Sequence, residues 1–207
     1  MRMMSNDADS TIERTSDVGA LSTDQDMTWI AASRKGDVQA FNRLVIKWER
    51  RVYNVALRML RDREEATEVA QESFLSAWRG LRNFRQGAKF STWLYRIVIN
   101  HCLTRLRYRP PGFYLSLTTE EESGYPDAHL RVDATQPEVL LREEQRRRVL
   151  AAMERLSPDQ RAVIELKFFQ ELTFEEIGVI LDTPQSTVKS RLYSALEVLK
   201  SKLGCEI

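Results

Sequence analysis

Cysteine and histidine are scarce: Cys102, Cys205, His101 and His129 are the only ones in 207 residues. Neither pair shows metal-ligand spacing, so no zinc site assembles, no disulfide framework is expected, and both thiols read as plain ones. Glycine is limited to eight positions, and none belongs to a phosphate-cradling loop. No acid, base and nucleophile fall into a catalytic pattern, so the chain is expected to use no cofactor and to catalyse nothing. Long apolar runs are also missing. None approaches the roughly 18 residues that span a bilayer, and the opening MRMMSNDADS lacks the apolar centre of a signal peptide, so a cytoplasmic protein without membrane insertion is expected. A composition of 43% hydrophobic and 29% charged residues is ordinary for a soluble chain, long enough for one domain or two small ones.

One further absence is local. From Asn83 to Pro111 there is no Asp or Glu, while Arg85, Lys89, Arg96, Arg105, Arg107 and Arg109 alternate with Phe84, Phe90, Trp93, Tyr95 and Tyr108. Cations interleaved with aromatics suit nucleic acid whose bases can be unstacked. The formal net charge of +1 averages over segments of opposite sign and does not exclude such a partner. Asn83 to Lys89, with Gly87, reads as a loop. From Phe90 on, Leu94, Ile97, Val98, Cys102 and Leu106 recur at helical spacing, and the other face presents Arg96, Asn100, Thr104 and Arg107 as a track for phosphates and bases. The plainer alternative makes the aromatics core and the cations a solvated face.

Residues 1–22 hold scattered Asp, Ser and Thr and read as a mobile tail. A helical pattern then runs from near Asp24, is punctuated at Gly36, and resumes after Asp37, a suitable N-cap, through Phe41, Leu44, Trp48, Val52 and Leu60. Asp62 with Glu65 predicts a capping box for the next helix, whose inner stripe is Ala66, Val69, Ala70, Phe74, Ala77, Trp78 and Leu81. Its outer face carries Glu68, Glu72, Leu75 and Arg79, either a docking face for a partner helix or a solvated one. Between Gly112 and Glu138 six acids face one base, Arg131, with Gly and Pro throughout, which marks an acidic linker.

The last third is helical again. One helix is predicted over Val139 to Leu156. Ser157-Pro158-Asp159-Gln160 predicts a capped helix through Val163, Ile164, Leu166 and Phe168, and Thr173 with Glu176 a short capped helix ending at Asp182-Thr183-Pro184. A longer helix, Ser186 to about Lys202, follows at once. Two helices joined by so tight a turn form the unit that places its second helix in a DNA major groove. Val188, Leu192, Ala195, Leu196, Leu199 and Leu203 give that helix its apolar seam, and Gly178 lets the pair approach closely. Lys189 and Arg191 are the candidate charge contacts. Ser186, Thr187, Ser190, Tyr193 and Ser194, clustered toward the N-terminal end, are candidates for base or positioning contacts. A protein that reads a duplex site while holding a nearby separated strand needs both basic elements.

At these residues the chain resembles the extracytoplasmic-function (ECF) group of bacterial RNA polymerase sigma factors, of the sigma-70 family. GDVQAFNRLV, DREEATEVAQESFLSAWRGLRNF and KFSTWLYRIVIN look like region 2 of that group, and LSPDQRAVIELKFFQELTFEEIGVILDTPQSTVKSRLYSALEVLK looks like region 4. The resemblance implies an all-α protein of two small helical domains: region 2 over 23–109 and region 4 over 138–207, joined by a flexible acidic linker over 110–137. It further implies that Glu68, Gln71, Glu72, Leu75 and Arg79 bind core RNA polymerase, a partner of β and β′ subunits. Asn83, Phe84, Arg85, Lys89, Trp93, Arg96, Asn100 and Arg107 would recognise the −10 element and capture a flipped base. Ser186, Thr187, Lys189, Ser190, Arg191, Tyr193 and Ser194 would read the −35 element, and an anti-sigma factor is an expected regulator. Here Thr67 stands where Glu is frequent in the group, and Ser186-Thr187-Val188 stands where Gly-Thr-Val is common.

Overall fold

Side-chain caps fix where the helices begin. The computed structural model describes residues 21–84, 89–109, 148–149 and 151–203, and every regular element among them is helical. Helix α1 (Leu21–Arg34) turns into α2 (Val38–Leu60), where Asp37 accepts from the backbone N–H groups of Gln39 and Ala40 at 2.9 and 3.1 Å. Helix α3 (Arg63–Gly80) starts at Asp62, whose side chain accepts from the Glu65 N–H at 2.8 Å. The expected reciprocal half of that box is absent among the described contacts: Glu65 turns to the Arg109 guanidinium, a charged donor that outcompetes a backbone N–H. A short 3₁₀ turn (Leu81–Asn83) leads toward α4 (Phe90–Tyr108).

Most of the helix predicted over Val139 to Leu156 lies outside the described residues; its visible end comes at Met153, before a turn at Glu154 and Arg155. Both later capping boxes form. Ser157 and Gln160 satisfy each other's backbone N–H at the start of α5 (Pro158–Ile164), and Thr173 and Glu176 do so at α6 (Phe174–Leu181). The long final helix is α7 (Gln185–Leu203). Helix α5 does not continue regularly as expected. Glu165–Phe169 forms a π-helical turn, whose extra residue rotates the register, so Phe168 is 55% exposed and Glu165 points inward.

Val52, Val55 and Met59 of α2, Ala66 and Val69 of α3, and Leu94, Val98, Ile99 and Cys102 of α4 are fully buried and form the first half of the core. Leu166, Ile177, Ile180, Val188 and Ala195 form the second. In α7 the predicted seam loses Leu196, which is 38% exposed, since no described residue covers that side of the helix; the Leu203 side chain lies outside the described residues.

The sequence left the placement of the two halves open, and the structure joins them. Helices α5 and α6 both pack on α4, and α5 and the Glu165–Phe169 turn pack on α2. At this joint Arg58 Nε and Nη2 donate to the two Glu165 carboxylate oxygens at 2.7 and 2.8 Å, and Gln170 Nε2 donates to the same carboxylate at 3.0 Å. Tyr95 Oη donates to Gln170 Oε1 at 2.6 Å, and Arg161 Nη1 to the Met59 carbonyl at 2.7 Å. Burial pushes the Glu165 carboxyl above its ordinary range, against the pull of Arg58 and Gln170.

A Cβ on Gly178 would sit 2.9 Å from the Thr183 carbonyl oxygen. The glycine thus admits the turn between α6 and α7 rather than the face of α7 itself. Gly178→Ala, which an exposed helix would welcome, is expected to destabilise the protein by about 1–3 kcal/mol, seen as a lowered Tm.

Candidate nucleic-acid interface

Helix α3 presents the expected face. Gln71, Glu72 and Arg79 are exposed, Glu68 likewise, and Leu75 is 56% exposed beside them. The two acids are not loose. Arg105 reaches across from α4 and donates to Glu68 at 2.6 Å and to Glu72 at 2.7 Å. The Glu68 bond is the chief cause that raises the already high Arg105 pKa, so the guanidinium stays charged beside the two acids. His101 is on the same side, its Nε2 3.0 Å from Ser76 Oγ and its Nδ1 3.6 Å from Glu72.

The acid-free segment is acid-free in sequence only. Arg105 pairs with α3 acids, Arg109 with Glu65, Lys89 Nζ with Glu176 at 2.7 Å, and Arg96 Nη2 lies 3.9 Å from Asp182. Arg96, Asn100, Thr104 and Arg107 are all exposed along one side of α4. At its head is a cleft of about 650 Å³ lined by Asn83, Phe84, Lys89, Thr92, Trp93 and Arg96, and closed by Glu176 and Val179 of α6. Trp93 stands in its wall. Its ring lies 5.2 Å from Phe84 and 5.7 Å from Phe90, and a Cβ on Gly80 would come within 3.2 Å of it, close enough to make the ring shift by a few tenths of an ångström.

Among the predicted −10 residues, Asn83, Lys89, Trp93 and Arg96 are brought together, while Asn100 and Arg107 extend the line. Arg85 lies outside the described residues. Phe84 needs correcting: it is 3% exposed and forms wall rather than contact surface, because its ring is wedged between Phe90 and Trp93. Tyr95 likewise belongs to the interior. Burial pushes its hydroxyl up to about 12 from an ordinary 10.0. Because the folded value is the higher one, the associated stability is complete below the ordinary value and lost as pH rises toward the folded one. Alkaline titration of tyrosinate absorbance is expected to show a late phase near pH 12 that Tyr95→Phe removes.

In the helix-turn-helix, Asp182 adopts a left-handed conformation (φ 52°) that ends α6, and α7 starts within three residues. Ser186, Lys189, Ser190, Tyr193 and Ser194 are exposed, with Tyr193 at 64%. Thr187 and Arg191 are half-buried. Arg191 Nη2 is 3.1 Å from Asp159, Lys189 Nζ sits 5.5 Å over the Phe174 ring, and Ser194 accepts from Gln160 at 3.0 Å, so the first half of α7 is held in place from α5 and α6.

Arg58, Arg161, Glu165 and Gln170 were not foreseen. A signal existed for one of them: Glu165 interrupts the apolar run Ala162-Val163-Ile164-Leu166, where an ionised side chain is tolerated only with a buried partner. The expectation of a plain Cys102 agrees with its place in the core, where burial raises its thiol pKa and suppresses reactivity. No cluster of metal-ligating side chains and no helix long and apolar enough to cross a membrane occur among the described residues.

Comparison with known proteins places this geometry. The chain matches Sigma-70 region 2 over residues 44–110 and Sigma-70, region 4 over residues 146–199. It is 35% identical to the RNA polymerase sigma-H factor of Pseudomonas aeruginosa, over 88% of this chain and 96% of that protein. Against the ECF RNA polymerase sigma factor SigW of Bacillus subtilis it is 34% identical, over 82% and 92%. Two solved structures share the fold: CnrH in complex with the cytosolic domain of CnrY, at a TM-score of 0.63 and 21% identity, covering 88% of this chain and 99% of that one; and the sigma factor RpoE in complex with the anti-sigma factor NepR from Bartonella quintana, at 0.62 and 20%, covering 82% and 100%. The chain therefore belongs to the extracytoplasmic-function RNA polymerase sigma factors of the sigma-70 family, a family of transcription initiation factors.

Proposed function

We propose that this sigma factor divides its work among three surfaces. Residues 23–109 bind core polymerase through Glu68, Gln71, Glu72, Leu75 and Arg79, and engage the −10 strand through Asn83, Arg85, Lys89, Trp93, Arg96, Asn100 and Arg107. Residues 138–207 read the −35 duplex through Ser186, Thr187, Lys189, Ser190, Arg191, Tyr193 and Ser194, and residues 110–137 link the two. The observation that carries this reading is the coexistence of an exposed cationic track with an aromatic-walled cleft on α4 and a helix-turn-helix with its polar end outward. One suits a separated strand and the other a duplex. An anti-sigma factor is the expected regulator, supported by the relative RpoE, which was solved with one.

The test is permanganate footprinting of promoter fragments with the protein, core polymerase, or both. Reactive thymines near a start site only with both present support the reading. Duplex protection by the protein alone, with no polymerase-dependent opening, would replace it with a stand-alone regulator. Lys189→Ala and Arg191→Ala are each expected to weaken promoter binding and to reduce the slope of log K against log salt by about 0.9, the release of one phosphate's counterions. An unchanged slope removes that residue from the phosphate contacts.

A further inference from the structure

The 3₁₀ turn borders two cavities. Asn83 lines the cleft of Trp93, while Arg82, its neighbour, lines a smaller pocket of about 260 Å³ together with Arg34 and Gly36 of the α1–α2 turn and Trp78 and Arg79 of α3. Three guanidinium side chains thus line one pocket, and all three residues are exposed. Arg34 Nη2 donates to the Arg82 carbonyl at 3.3 Å, which ties the end of α1 to the end of α3 across 48 positions of sequence. The Trp78 ring, 4.9 Å from that of the buried Phe41, is a fixed wall. Gly36 adopts φ 96°, and a Cβ there would meet nothing within 4 Å, so the chain reverses at this rim without filling it.

What the pocket lacks is a carboxylate. Arg58, Lys89, Arg96, Arg105, Arg109 and Arg191 each meet an acid, but no described residue supplies one to Arg34, Arg79 or Arg82. Acids on the neighbouring elements are engaged elsewhere: the Asp37 carboxylate accepts from the Gln39 and Ala40 N–H groups, and Glu72 is held by Arg105. Like charges gathered without a counter-ion repel, and a multiply charged anion relieves that repulsion while taking up guanidinium N–H groups in pairs. Phosphate oxygens match the planar fork of arginine.

We propose that Arg34, Arg79 and Arg82 form a phosphate site, separate from the Trp93 cleft and from the helix-turn-helix. The pocket is smaller than the roughly 300–1,000 Å³ that drug-sized ligands occupy, which suits a phosphate or diphosphate group. Two sources can supply that group: a backbone phosphate of a strand leaving the cleft past Asn83, or a free phosphorylated small molecule. The first source rests on the reading of the Trp93 cleft as a strand site; the phosphate site itself does not. Because the arginines are exposed, binding is salt-sensitive from either source.

Inorganic pyrophosphate is the probe, titrated at fixed ionic strength into the full-length chain carrying isotope-labelled arginine. Saturable shifts of the Arg34, Arg79 and Arg82 Nε resonances are expected, with those of the acid-paired Arg58 and Arg105 unmoved. Arg34→Gln and Arg82→Gln are each expected to weaken pyrophosphate binding roughly three- to fivefold, the upper range of one exposed charge pair. Anisotropy of a fluorescein-labelled single strand of about 15 nucleotides then separates the sources. Competition by pyrophosphate, with equal weakening of the strand in both variants, assigns the site to a strand phosphate. A strand that binds parent and variants alike assigns it to a free phosphorylated compound. The pyrophosphate titration involves no strand, so its result stands whether or not the Trp93 cleft holds one. Arginine resonances that drift without saturation, or a pyrophosphate affinity that neither variant changes, would overturn the proposal.

Discussion

Arg58→Ala is expected to destabilise the folded chain by about 3–5 kcal/mol, the range for breaking a buried ion pair from one side. Glu165 is fully buried, and both of its oxygens are held by the Arg58 fork. Without Arg58, only Gln170 among its described hydrogen-bond partners remains to oppose the burial that already raises the carboxyl. A carboxyl whose folded value exceeds its unfolded value favours the folded state as pH falls. The deficit of the variant should therefore be largest at neutral pH and shrink on acidification, as Glu165 takes up a proton. Denaturant unfolding at neutral and mildly acidic pH checks both the size and the sign. Arg58→Met combined with Glu165→Leu is expected to recover most of the loss, since an apolar pair of similar volume needs no solvation. A single-variant cost below about 1 kcal/mol, the range of exposed pairs, would place Arg58 and Glu165 in water and the two halves apart in solution.

Local chemistry made much of this fold legible. Asp37, Ser157 and Thr173 cap the helices expected of them because a cap depends only on residues within one turn. Asp62 shows where such reasoning stops: its half of the box forms, but Glu65 answers to Arg109, 44 residues away. The candidate sites follow the same division. Exposure of Glu68, Gln71, Leu75, Arg96, Asn100 and Arg107 could be read from helical periodicity, which states which face looks outward. Periodicity is silent on what arrives from elsewhere, so the acids that meet Lys89, Arg96, Arg105 and Arg191 were invisible. The π-turn was hidden for a related reason. The pattern Val163, Ile164, Leu166 fits a regular helix, and the register changes only at Glu165, where the carboxylate meets Arg58 from the other half of the chain.

Leu75→Ala is expected to weaken association with core polymerase by about 2 kcal/mol, roughly thirtyfold, with little effect on stability. The two expectations separate because Leu75 is 56% exposed and exposed substitutions rarely change stability by more than about 0.5 kcal/mol. A leucine left in water beside Glu68 and Glu72 is the sort of apolar anchor that a partner helix buries, while the acids around it set orientation. Arg105 sharpens the test. It holds both carboxylates within 2.7 Å, so the acidic rim is ordered before any partner arrives and little side-chain entropy is lost on docking. Arg105→Ala should accordingly weaken core binding less than Leu75→Ala, since it loosens the rim but leaves the anchor. Titration of labelled core polymerase with each variant measures both. If the Leu75 variant binds as tightly as the parent, the α3 face is a solvated surface and the polymerase contact must be sought on another helix.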